Sequence, residues 1–82
     1  MKPFMLKVLT RGETVFEGEI ESISSVNDKG KFDVLGHHAN FISMIRDHLI
    51  IREKSGRTHE LKIGRGILKV LDNSARVYLG IK

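Results

Sequence analysis

Four histidines, three neighbouring serines, a Gly-Arg-Gly triplet and a row of glutamates are the residues of this 82-residue chain that could do chemistry. As metal ligands the histidines are badly spaced. His37 and His38 are adjacent, so on an extended chain they point to opposite faces and do not share one ion. His48 and His59 fall in different predicted strands, and no carboxylate follows either at the spacing of a zinc enzyme. Ser22, Ser24 and Ser25 lack the Gly-x-Ser-x-Gly elbow that exposes a nucleophile. Gly64-Arg65-Gly66 is too short to cradle a phosphate, and no helix follows to offer its N-terminus. Glu13, Glu17, Glu19 and Glu21 could chelate a cation, but a wet strand face opposite basic neighbours accounts for them more simply. The chain has no cysteine, which excludes thiol nucleophiles, disulfides and cysteine-bearing zinc sites. No enzyme active site, metal or cofactor is expected.

Charge offers a partner rather than a reaction. The net charge is +4 and it is unevenly placed. Residues 1–41 hold five Lys/Arg against six Asp/Glu, while residues 42–82 hold nine against four. A basic half attracts nucleic acid, anionic lipid or an acidic protein surface, or simply keeps strand faces solvated. A small basic β-domain that binds single-stranded nucleic acid would add exposed aromatics for base stacking. Here Phe4, Phe16, Phe32 and Phe41 sit in apolar runs, and Tyr78 alone falls on a polar face. That reading therefore has its charges (Arg52, Lys54, Arg57, Lys62, Arg65, Lys69, Arg76) but not its platform.

The elements that must position these residues are strands. Ala75, Val77, Leu79 and Ile81 alternate with Arg76, Tyr78 and Gly80, and His59, Leu61 and Ile63 alternate with Thr58, Glu60 and Lys62. A period of two is what a sheet with one wet face requires. Phe16, Gly18 and Ile20 share a face, but Ile23 then falls on the wrong parity, which predicts a bulge or break near Ser22. Turn residues punctuate the chain at Arg11-Gly12, Asn27-Asp28-Lys29-Gly30, Lys54-Ser55-Gly56-Arg57 and Asp72-Asn73-Ser74. Strands are predicted near 4–10, 14–20, 22–26, 31–35, 41–45, 48–53, 58–63, 66–71 and 75–81. The fold class is all-β: a small two-sheet sandwich of about nine or ten short strands without an amphipathic helix. Residues 1–82 read as one domain, too small for a second core. No apolar run approaches the ~18 residues of a membrane span, and Met1-Lys2-Pro3 opens no signal-peptide core, so a cytoplasmic location is expected.

Two segments together carry a resemblance. Val15-Phe16-Glu17-Gly18-Glu19-Ile20-Glu21-Ser22-Ile23 is followed by Gly30-Lys31-Phe32-Asp33-Val34-Leu35-Gly36-His37-His38-Ala39. Gly66-Ile67-Leu68-Lys69-Val70 and Ala75-Arg76-Val77-Tyr78-Leu79 then follow in the same order and spacing as in the N-terminal β-sandwich domain of the ATP synthase epsilon subunit family (delta in mitochondria), which this chain resembles over nearly its whole length. Departures occur at Gly36, His37 and Asn40, where the family usually has Pro, Gly and Pro. Others are Asp33 for a glycine, Asp47-His48 for a Pro-Gly turn, and Arg65 for the first of two glycines. Lost prolines should loosen the 35–40 loop. Family members usually continue as a C-terminal helical hairpin, and with the sequence stopping at Lys82 none is expected within it.

The resemblance implies a non-catalytic rotor part. Such a domain joins the gamma subunit to the polar loops of the membrane c-ring during ATP synthesis driven by an ion gradient. It would lie on the cytoplasmic (or inner organellar) side of the membrane and associate with it only through the complex, and no nucleic acid is expected. Lys31, Asp33, His38 and Ala39 occupy the family's ring-facing region and are the c-ring candidates; His38 reads equally as an anchor of its own loop. Contact with gamma calls for a stiff body with an apolar outer patch. Met5, Leu9, Ile42, Met44 and Leu71 have apolar neighbours of opposite parity and are the gamma candidates; Ile50 shares the property. Periodicity alone does not say which alternate face is core.

Overall fold

The computed structural model describes residues 3–36 and 40–80. Six strands run in chain order: β1 (Phe4–Thr10), β2 (Glu13–Asn27), β3 (Gly30–Leu35), β4 (Phe41–Glu53), β5 (Thr58–Leu71) and β6 (Ser74–Leu79). They hydrogen-bond in the order β1-β6-β5-β4-β2-β3, and an additional β1–β2 pairing closes the sheet on itself. Only β1 and β6 run parallel; every other pair is antiparallel. The result is a flattened, closed sandwich.

The turns explain the hairpins. Arg11 and Gly12 both take positive φ (48° and 82°), as do Asp72 and Asn73 (51° and 60°). Two-residue loops of this hand match the right-handed twist of the strands they join. At the β2–β3 turn the Asn27 side-chain oxygen accepts from the Lys29 N–H at 2.8 Å, an Asx turn.

The expectation of nine or ten short strands is corrected to six. Three pairs of predicted strands are single long strands bent in the middle. The pairing of β2 shifts between Ile20 and Ser22, which lets Ile20 and Ile23 both point inward, as the parity slip required. On β5 the register passes from Arg46↔Arg65 to Asp47↔Ile63, leaving Gly64 unpaired. Ile63 therefore packs on the core with Leu61, while Leu68 and Val70 do so from the other parity. Opposite that bulge Asp47 turns through φ 72°, and β4 continues unbroken. Long bent strands passing from one face of the sandwich to the other join its two layers into one closed sheet.

The core takes Phe4, Leu6 and Val8 from β1, Ile20 and Ile23 from β2, and Val34 from β3. Ile45, Leu49, Ile51, Leu68, Val70, Ala75 and Val77 complete it. Phe16, Phe32 and Phe41 pack against its margin, with Phe32 and Phe41 edge to face at 6.4 Å between centroids. The serines considered as nucleophiles are structural. Ser25, fully buried, donates from Oγ to the His48 carbonyl at 2.7 Å and so satisfies the backbone beside the β4 bend. Asn40, where the resembled family has proline, accepts the Asp72 N–H at 2.9 Å and ties the β3–β4 connection to the β5–β6 turn.

Candidate functional site

Strand register decides which apolar residues lie outside. On β1, Phe4, Leu6 and Val8 are buried, so Met5, Lys7 and Leu9 stand on the opposite face. That face continues across β6, the second half of β5 and the first half of β4 in rows fixed by the pairing. Met5 lies beside Ser74 and Leu71. Next come Lys7, Arg76 and Lys69, ending at Ile42. The third row is Leu9, Tyr78, Ile67 and Met44. Beyond it Arg65 faces Arg46.

All five gamma candidates therefore lie on one outer face. Met5, Ile42, Met44 and Leu71 are 44–67% exposed, and Leu9 is half-buried. These are large apolar side chains held in water by a rigid sheet, the feature that marks an interaction surface rather than scattered surface residues. Ile50 does not join them. It sits half-buried on the other face, beside Ser24 and Glu60. Sequence reasoning missed Lys7, Arg46 and Ile67 as members of the face. Their signal was available in the alternation with Met5, Met44 and Leu68, but only the register joins four strands into rows.

Of the ring-facing candidates, Asp33 lies in a row with Ser24, Ile50 and Glu60, away from the gamma candidates, whereas Lys31 continues the Arg65–Arg46 row through Val26. Lys31 and Asp33 are exposed on β3, pairing with Val26 and Ser24 of β2. Asp33 is engaged within the fold: its Oδ1 accepts a short hydrogen bond from Ser24 Oγ. Arg52 Nη1 in turn donates to Ser24 Oγ at 2.8 Å and Ser22 Oγ at 3.2 Å. This ladder runs across three strands, while Lys31 forms no ion pair among the described residues. His38 and Ala39 lie outside the described residues.

Asp33→Ala is expected to cost about 1 kcal/mol, a typical net hydrogen-bond contribution. In a domain of this size that corresponds to a fall of roughly 4–8 °C in Tm. Thermal unfolding of Asp33→Ala, Ser24→Ala and the double variant checks it, because the two losses should overlap rather than add.

Several of the remaining reactive types are engaged within the fold. His59 contacts the Glu53 carboxylate through Nε2 and lies 5.4 Å, ring to ring, from Phe16. Glu17 pairs across the strand with Lys7, and Glu19 reaches Lys54 Nζ at 3.8 Å. Among the described residues no three His, Asp or Glu side chains come together as a metal site.

Comparison with known proteins agrees with this architecture. The family model described as ATP synthase, delta/epsilon chain, beta-sandwich domain matches residues 3–79. An ATP synthase epsilon chain of Clostridium novyi is 37% identical over 71 residues, covering 84% of this chain and 53% of that protein. One from Clostridium botulinum is 29% identical over 76 residues, covering 92% and 57%. This chain thus spans little more than half the length of these relatives. A chain in the Euglena gracilis mitochondrial ATP synthase structure shares the fold with a TM-score of 0.86, at 16% identity, over 94% of this chain and 50% of its own. Closed sandwich, strand order of motifs and family match converge, and the chain belongs to the ATP synthase delta/epsilon chain beta-sandwich domain family.

Proposed function

We propose that this chain is a non-catalytic module of the central stalk of a rotary ATP synthase. It couples ring to shaft by binding gamma on one face and the c-ring polar loops on another. The observation that carries the reading is the outer face of β1, β6, β5 and β4. Its four large apolar side chains are exposed on a sheet whose other side already holds the whole core. Relatives named as ATP synthase epsilon chains support the assignment to that complex. A structure titled as the Tetrahymena thermophila mitochondrial ATP synthase central stalk and c-ring contains a chain of the same fold, with a TM-score of 0.77.

Torque transfer asks little chemistry and much stiffness. Every strand is paired into a closed sheet, so the two faces cannot slide independently. Lys31 is assigned to the ring side together with His38 and Ala39, which lie outside the described residues, and Asp33 holds the strand that presents Lys31.

Reversing the charge at Lys31 should leave the free domain folded, since exposed substitutions usually cost within about 0.5 kcal/mol. It should nonetheless lower ion pumping per ATP hydrolysed in reconstituted vesicles. Unchanged pumping with Lys31→Glu removes that residue from the ring contact. Failure of the chain to enter the synthase at all removes the reading.

A further inference from the structure

The outer face is not uniformly apolar: its rows alternate in chemistry. The apolar row Leu9–Tyr78–Ile67–Met44 runs between two basic rows, Lys7–Arg76–Lys69 on one side and Arg65–Arg46 on the other. Lys69 and Arg65 are four residues apart on β5, which at about 3.4 Å per residue separates the basic rows by roughly 14 Å. An α-helix with its side chains is about 10–12 Å across. The apolar row crosses four strands, about 14 Å at 4.8 Å per strand, or roughly ten residues of helix at 1.5 Å each.

Arg46 and Arg65 sharpen the point. They stand directly opposite one another, both exposed, and among the described residues neither guanidinium has an ion-pair or hydrogen-bond partner. Like charges placed so are unfavourable in the free domain, and an incoming carboxylate would relieve them. The acids nearby sit at the margins. Glu17 and Glu19 lie on β2 opposite Lys7 and Met5, Asp72 in the β5–β6 turn, and Asp28 at the rim of the depression that Arg46 and Arg65 line.

We infer that this face is built for an amphipathic helix lying across the strands, its apolar stripe on the Leu9–Met44 row and carboxylates along both flanks. The inference rests on the proposed stalk role only in placing that helix on gamma. A second copy of this chain is a poor occupant, because the same face would bring like charges together. A single nucleic-acid strand would find one aromatic, Tyr78, between the cations and would leave Met44 and Ile42 against phosphate.

The test uses the full chain, with methyl groups of its Ile, Leu and Met residues observed by NMR. The probes are an 18-residue helical peptide with a leucine stripe flanked by glutamates, its lysine-flanked twin, a single-stranded oligothymidine and purified gamma. The glutamate peptide should shift Met44, Ile67 and Leu9 methyl signals, and the lysine twin should not. Arg65→Glu should weaken the glutamate peptide at least tenfold while the melting temperature holds or rises, since it turns a like-charge pair into an opposite one.

Equal binding of both peptides, indifference to Arg65→Glu, or tighter binding of the oligonucleotide overturns the inference. Capture of gamma that ignores Arg65→Glu overturns it while leaving the stalk role standing. Selective binding of the glutamate peptide without capture of gamma does the reverse.

Discussion

Gly66→Val is expected to cost about 3 kcal/mol or more and to lower the melting temperature by well over 10 °C. Gly66 is buried where β5 meets β6, and a Cβ there would lie 2.8 Å from the Tyr78 carbonyl oxygen and 3.0 Å from Leu79 Cδ2. The oxygen belongs to a strand paired on both edges, so it cannot withdraw without breaking the β1–β6 or β5–β6 ladder. Gly64→Val is the matched control. A Cβ at Gly64 meets nothing within 4 Å, its φ is not positive, and it is the unpaired residue of the bulge. Thermal unfolding of the two variants should separate them clearly. Similar melting temperatures would mean that β6 does not press on β5 as described.

The second large effect concerns binding, not stability. Ile42→Asp with Met44→Asp should reduce affinity for gamma by about thirtyfold or more, the scale of a single hot spot near 2 kcal/mol. Their side chains are 67% and 58% exposed, so the free domain loses little by the change. Leu35→Asp serves as control: Leu35 is 39% exposed but pairs with Ser22 on the far face. Isothermal titration against gamma, beside circular dichroism melting, reads both quantities. A loss equal for Leu35→Asp and the double variant would point to general solubility rather than a docking face.

Much of the fold was legible because the chain signals its turns with residues that accept positive φ. Arg11-Gly12 and Asp72-Asn73 are turns as read, and the parity slip at Ser22 is a bulge. The strand count was not legible, for a physical reason. A bulge needs one extra residue and no turn chemistry, so Gly64 interrupts the alternation of β5 without ending the strand. Likewise Asp47-His48 stands where a Pro-Gly turn would sit in the resembled family, yet β4 runs through it.

The candidate surface was half legible. Met5, Leu9, Ile42, Met44 and Leu71 could be singled out because apolar residues occupy both parities of their strands. That they share a face follows only from the registers of β1, β6, β5 and β4. The Arg46–Arg65 juxtaposition is longer in range still: residues nineteen apart in sequence become cross-strand neighbours. Asp33 was read as a contact residue. Its bond to Ser24 could not be foreseen, because it depends on β2 pairing with β3 in one register and with β4 in another.

The absence of cysteine from the sequence allows a direct test of the central claim, that the apolar face around Ile42 meets the shaft and the β3 edge meets the ring. Ile42→Cys and Lys31→Cys each introduce a single thiol at an exposed site, one on β4 among the gamma candidates and one on the β3 edge. Each is labelled with a photoreactive maleimide, assembled into the synthase in membranes and illuminated. The account predicts that the label at Ile42→Cys joins gamma and the label at Lys31→Cys joins the c-ring subunit. Both labels landing on the same subunit, or either landing on a stator subunit, would contradict it.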